Sequence, residues 1–309
     1  MTGSTASNFD LQSISAAVND TSATMGYLEW HTVSKCETQK DILKSKLRAH
    51  GFESYMPKEI SPSDAFRRAT SDIQKSKVET GNPDLYQNFL VREVYSDRFE
   101  IVRKIVIETV DKAGKALAYE PEEATIRYDK KLDTIEYTAS SKVTEDLISE
   151  ALSLWEKYKE TYTERHIREV CFNILQDMSP ISVKPSGGVY FIPESYSKTL
   201  IIFLALVNEL GESEGFKVPV IRNDENTDMV RRKLQDHIKS AIFEAAEVLK
   251  GECLKGVANA KLTLVKQVIT DFSEYQRVLQ DELADMDGSL ELLKAQARKI
   301  VEKLSEYDK

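Results

Sequence analysis

Cysteine is scarce in this 309-residue chain. Cys36, Cys171 and Cys253 stand far apart, with no Cys-x-x-Cys pair and no Cys/His spacing, so neither a disulfide scaffold nor a zinc site is indicated. A reducing cytoplasm is the compartment this suits. Long apolar runs are missing as well: the longest, Thr199 to Val207, is too short to span a bilayer and reads as a buried helix. The N-terminal MTGSTASNFD has neither the basic region nor the apolar core of a secretory signal. Four histidines, His31, His50, His166 and His237, are not near one another in sequence, and the dinucleotide-binding glycine pattern does not occur. Gly211 to Lys217 has glycines and a lysine at the wrong spacing for a phosphate loop, and no Ser or Thr follows the lysine. No cofactor or metal is called for, and the chain reads as non-enzymatic.

An excess of positive charge is the last absence. The formal net charge is −9. Residues 1–140 carry 19 basic against 22 acidic side chains, 141–224 carry 9 against 13, and 225–309 carry 14 against 16. Domains that bind nucleic acid strongly usually announce themselves by surplus Lys and Arg, so binding of that kind has to rest on a local patch. What is present is a hydrophobic share of 41 % and a charged share of 30 %, the balance of a soluble folded protein. The length suffices for two compact units and a sizeable core.

The most informative stretch is Thr163 to Glu194. Ile167, Val170, Cys171, Ile174, Leu175 and Met178 fall on one stripe of a helix, for which Thr163 is a candidate N-cap. The period then drops to two at Ile181 and Val183. A Lys-Pro-Ser-Gly-Gly turn leads back through Val189, Phe191 and Ile192, and Gly187-Gly188 supply the positive φ angles of a tight hairpin. A helix followed by such a hairpin is the back half of a winged-helix module, in which helix and hairpin touch nucleic acid together. The candidate contact residues are Arg165, His166 and Arg168 on the helix, with Lys184, Ser186 and Tyr190 on the hairpin. Against this stand Glu164, Glu169 and Asp177 on the same helix, and a long preceding helix in place of a short one.

The order of a His-Ile-Arg helix, then Ile-Ser-Val-Lys-Pro-Ser-Gly-Gly-Val-Tyr-Phe-Ile-Pro, then an apolar helix resembles a family of uncharacterised proteins encoded by bacteriophages, plasmids and some bacterial genomes. The resemblance covers about Trp155 to Ile221, with a vaguer similarity around Ala65-Phe66-Arg67-Arg68-Ala69. It implies a mobile-element setting and transfers no catalytic residue.

Along the whole chain the pattern predicts an α+β protein. A mobile start occupies 1–25, with a short helical possibility at Leu11 to Val18. An α+β domain with an antiparallel sheet follows at 26–140. It holds a strand at Tyr27 to Val33, a helix at Asp41 to His50 closed by Gly51, a helix opened by Ser63-Asp64, and a meander of three to four strands between Phe89 and Tyr137. The winged-helix-like helix–hairpin–helix unit takes 141–224. There Ser195 is expected to cap the apolar helix, Gly211 to Gly215 reads as a flexible connection, and Lys217 to Ile221 is expected to join the hairpin as an edge strand. Residues 225–309 carry three amphipathic helices, a bundle or coiled coil. Such long apolar stripes need a partner surface, so homo-oligomerisation through 225–309 is expected.

Two other classes compete with a nucleic-acid role. The acidic surface suits a protein-binding partner, for example an inhibitor of a host defence system. The meander carboxylates Glu93, Glu100, Glu108, Asp111 and Glu120, with Lys104 and Lys112, are residue types that metal-dependent nucleases use; charged residues on the outer face of a sheet are the commoner explanation. DNA, RNA and host protein all remain open as partners.

Overall fold

The computed structural model describes residues 24–251, 253–280, 283 and 286–307. The predicted mobile start and the possible helix at Leu11 to Val18 lie outside them, apart from Thr24 and Met25. The chain is an α+β protein with a curled antiparallel meander, a central helix–hairpin–helix unit and a C-terminal three-helix bundle. It divides into two compact units, one made of residues 37–45 and 56–166 and the other of the remaining chain.

The described chain opens with β1 (Thr24–Thr32), β2 (Glu37–Gln39) and α1 (Lys40–Ala49). Gly51, at φ +77°, ends α1 in the left-handed conformation, and the Phe52 amide reaches back to the Leu47 carbonyl at 2.7 Å, a glycine C-cap. Next come α2 (Pro62–Asp72), β3 (Lys75–Glu79), β4 (Leu85–Ser96), β5 (Glu100–Asp111), β6 (Ala116–Asp129), β7 (Thr134–Ala139), α3 (Lys142–Lys159) and β8 (Thr161–Thr163). These build the first unit.

Its sheet runs in the order β3-β4-β5-β6-β7, every pair antiparallel. Alternation sends Ile101, Ile105 and Ile107 of β5 to one face, where Phe89, Val91, Ile126 and Tyr128 join them. Helices α2 and α3 cover that face with Ala65, Phe66, Ala69, Ile73, Leu147, Ile148 and Trp155. Tyr128 stacks on Phe66 at 5.3 Å and meets Trp155 edge-on at 5.7 Å, and the Trp155 indole donates to the Pro62 carbonyl at 3.1 Å. The meander has five strands instead of three to four. The extra one, β3, is the charged stretch Lys-Ser-Lys-Val-Glu at the sheet edge, where charge discourages further pairing. Where β5 advances from Ile105 to Ile107, β6 advances from Ala124 back to Glu120; this bulge holds Pro121, which a regular central ladder would not accept.

Helix α3 begins with a capping box: the Ser141 hydroxyl accepts from the Thr144 amide, and the Thr144 hydroxyl accepts from the Ser141 amide. Ser141→Ala is expected to lower stability by about 1 kcal/mol, measured as a shift of the urea midpoint without a change in slope.

The second unit adds α4 (Glu164–Gln176, its first three residues counted with the first unit), β9 (Ile181–Ser182), β10 (Tyr190–Pro193), α5 (Ser197–Glu209), β11 (Glu214–Ile221), α6 (Asp224–Lys250), α7 (Lys255–Val278) and α8 (Asp287–Glu306). Its sheet has the order β11-β1-β10-β9. The Lys217–Ile221 stretch is an edge strand as expected, with Pro219 on it, but its neighbour is β1 and not the hairpin. The connection expected from Gly211 to Gly215 is shorter than the sequence suggests, because Glu214 and Gly215 are already strand and pair with Thr32 and His31. Ser195 does not cap α5; it sits in a single 3-10 turn, Glu194–Tyr196, ahead of the helix.

The two faces of this sheet are both covered. A β-carbon on Gly215 would touch Leu204 and Val207 of α5, and His31 meets the Phe203 ring at 5.4 Å. On the other face Met25, Ile181, Phe191 and Val220 merge with the core of the bundle, Val230, Leu234, Ile238, Val265, Phe272, Leu293 and Ile300 among others. The apolar stripes of 225–309 therefore find their partner surface within the chain, in one another and in the sheet.

Candidate functional site

The hairpin forms where the sequence placed it. Tyr190 pairs with Ser182 and Phe191 with Ile181. The turn is closed by the Val183 amide on the Val189 carbonyl (3.0 Å) and the Gly187 amide on the Lys184 carbonyl (2.8 Å). Gly187 and Gly188 have φ of +72° and +82°, a conformation that side-chain-bearing residues rarely adopt. Because β10 is hydrogen-bonded to β1 as well as to β9, this wing is an extension of a sheet, and only its tip projects.

The six candidate residues fare differently. Lys184 and Ser186 are exposed at the tip, while Tyr190, on β10, is half-buried. Arg165 is exposed on the first turn of α4. Three positions from Thr163, His166 accepts the Thr163 amide on Nδ1 at 3.2 Å, lies 3.0 Å from its hydroxyl and meets the Tyr162 ring edge-on at 5.2 Å. His166 thus satisfies the Thr163 amide at the α4 N-terminus, the side-chain-to-amide half of a capping box. Arg168 donates to the Val33 carbonyl at 3.1 Å. Among the described residues, no carboxylate pairs with Arg165, Arg168 or Lys184. Cys171 is fully buried, and burial pushes its thiol up to about 12, so it packs as a small apolar group.

The two arginines of α2 are spoken for. Arg67 pairs with Glu93 at 3.0 Å and Arg68 with Glu37 at 2.5 Å while lying over the Tyr158 ring. Lys157 is the main cause, and Arg68 a lesser one, of a Glu37 carboxyl below its usual range.

The model of a family of unknown function (DUF6744) matches residues 24–306. The chain belongs to that family. The likeness thus extends well beyond Trp155 to Ile221, and it includes the helix–hairpin–helix segment. No curated protein and no solved structure matches the chain.

In this DUF6744 chain the meander carboxylates are dispersed. Glu93 binds Arg67, Glu100 binds Arg127 at 3.1 Å, Glu108 accepts from Asn88 at 3.0 Å, and Asp111 accepts the turn amides of Ala113 and Lys115. Lys104 and Lys112 are paired with Glu122 and Asp84. Among the described residues no group of three or more His, Cys, Asp or Glu side chains is placed to hold a metal ion, and no helix is long and apolar enough to cross a membrane.

Two polar features had no clear signal in the sequence. Glu29, fully buried on β1, bonds His31 Nδ1 at 2.6 Å, and its second oxygen has no partner among the described residues. The other is the acidic patch of α7, where Asp271 and Glu274 are buried against the base of the hairpin. Gly211-Glu212-Ser213-Glu214-Gly215 spells Gly-x-Ser-x-Gly, but it joins a helix to a strand, whereas the nucleophile motif of that spelling turns from a strand into a helix.

Proposed function

We propose that this is a non-enzymatic, nucleic-acid-associated protein of a phage or plasmid setting, which contacts phosphate through Lys184 and Ser186 at the hairpin tip and Arg165 and Arg168 on α4. The observation that supports it is the lack, among the described residues, of carboxylate partners for those three cations on a protein with a net charge of −9. A cation already paired with a carboxylate must break that pair to reach a phosphate; these need not. His166 and Tyr190 are left out of the contact set, since one caps α4 and the other is half-buried in β10.

Each neutralised phosphate releases counterions, so three contacts imply about a 40-fold loss of affinity between ~50 and ~200 mM salt. A gel shift with mixed single- and double-stranded DNA measures this. The Arg165→Ala, Arg168→Ala, Lys184→Ala triple variant is expected to bind at least tenfold more weakly and with a flatter salt dependence. Retention of DNA binding by the triple variant rules the proposed contacts out. No shift at low salt rules the class out, leaving the acidic surface as a protein-binding face, with inhibition of a host defence system as one form of it. Divalent-dependent loss of the DNA, abolished by Glu93→Ala or Glu108→Ala, returns the nuclease alternative.

A further inference from the structure

Helix α7 grips the base of the hairpin with side chains from two successive turns. Tyr275, fully buried, donates its hydroxyl to the Ser179 carbonyl at 2.7 Å and lies 3.5 Å from the Phe191 carbonyl. One turn earlier Asp271, only 5 % exposed, accepts from the Ser179 hydroxyl at 2.8 Å and from the Gln267 amide at 2.9 Å. Glu274 accepts from the Ser195 hydroxyl. Ser179 itself is held at φ +50°, a left-handed conformation that a serine rarely adopts, and its hydroxyl also meets the Tyr196 hydroxyl at 3.2 Å. The segment between α4 and β9 is thus fixed from outside by α7.

The surroundings of Asp271 do not favour a charge. Asp177, just past the end of α4 and bonded by the Tyr55 hydroxyl, adds a like charge to its surroundings. Glu274 faces it from its own helix, and the neighbouring cation, Arg277, is directed at Glu274 at 3.1 Å with most of its side chain in solvent. The Tyr196 and Tyr275 hydroxyls both meet Ser179, the residue that Asp271 holds.

We infer that Asp271 is a proton-operated clamp: protonated, it lets α7 hold Ser179 and the hairpin base, and on ionising it loosens that hold. Burial is the main reason that its carboxyl lies above the usual carboxylate range, with the like charges of Asp177 and Glu274 adding to it against the two hydrogen bonds from Ser179 and Gln267. The sign follows. An acid whose folded pKa is raised contributes stability that is complete below its unfolded value and lost as pH rises through the folded one. Each pH unit of elevation makes opening tenfold easier. The clamp does not depend on what the hairpin tip contacts.

Amide hydrogen exchange of residues 179–193 in the full chain, corrected for the chemical rate and followed from about pH 4 to about pH 8, reads the clamp directly. Protection is expected to fall about tenfold for each pH unit by which the Asp271 pKa is raised. Asp271→Asn, which keeps an oxygen for Ser179 and Gln267, is expected to give a flat profile. Parallel profiles for wild type and variant overturn the inference. Should the variant not fold, a carbon-13 titration of the Asp271 carboxyl in the wild-type chain decides instead: a midpoint in the ordinary carboxylate range, or a raised one without a matching fall in wild-type protection at 179–193, overturns it, and a raised one that coincides with that fall upholds it.

Discussion

Gly26→Ala is expected to destabilise the protein by about 3 kcal/mol, the upper end of what one added methyl group produces in a packed interior. Gly26 is buried in β1, an inner strand with neighbours on both sides. A β-carbon there would lie 2.2 Å from the Ile192 carbonyl oxygen and 2.6 Å from the Phe191 ring. The ring could turn, but the carbonyl belongs to the backbone of β10, and moving it breaks the pairing of Gly26 with Pro193 and Tyr27 with Ile192. Because the same strand carries β11 on its other edge, the disturbance reaches the whole four-stranded sheet. Urea denaturation followed by circular dichroism measures it. A midpoint within error of wild type would mean that β1 and β10 do not approach as closely as described.

Tyr275→Ala should be comparably severe. Removing a fully buried aromatic side chain costs about 3–5 kcal/mol in transfer and cavity terms, and here it also strips the Ser179 carbonyl of its donor. Tyr275→Phe separates the two contributions, since it keeps the ring against Phe191 at 6.1 Å and loses only the hydroxyl. Its expected cost is about 1–3 kcal/mol. Both are read as shifts in denaturation midpoint at fixed pH. Equal losses in the two variants would contradict the packing argument, because they would assign the whole effect to one hydrogen bond.

The elements legible in the sequence were those with a strong period or an obligatory turn. Ile167, Val170, Cys171, Ile174 and Leu175 lie on the buried stripe of α4, and Gly187-Gly188 turn the hairpin with positive φ. Ala65, Phe66 and Ala69 share the buried face of α2, and Ile73, its C-cap residue, is buried with them. What was hidden follows from non-local pairing. β3 has hardly any apolar residues and β8 is three residues long, so their strand character comes from neighbours and not from their own composition. Nothing in Lys217–Ile221 says that its partner is β1. The candidate site shows the same limit: Arg165, Lys184 and Ser186 were legible as exposed polar groups, but the capping role of His166 depends on the Thr163 geometry, and the bond of Arg168 to Val33 joins positions far apart in the chain.

The placement of β1 bears on how the protein is made. Its two sheet partners are residues 190–193 and 214–221, so β1 leaves the ribosome with the entire meander still to be synthesised before either of them. At about 5–20 residues per second, β1 waits roughly ten to thirty seconds for the first of them. During that interval Met25, Leu28 and Trp30 have no sheet to enter, and nascent chains halted before Tyr190 would present an unpaired apolar strand to chaperones or to one another.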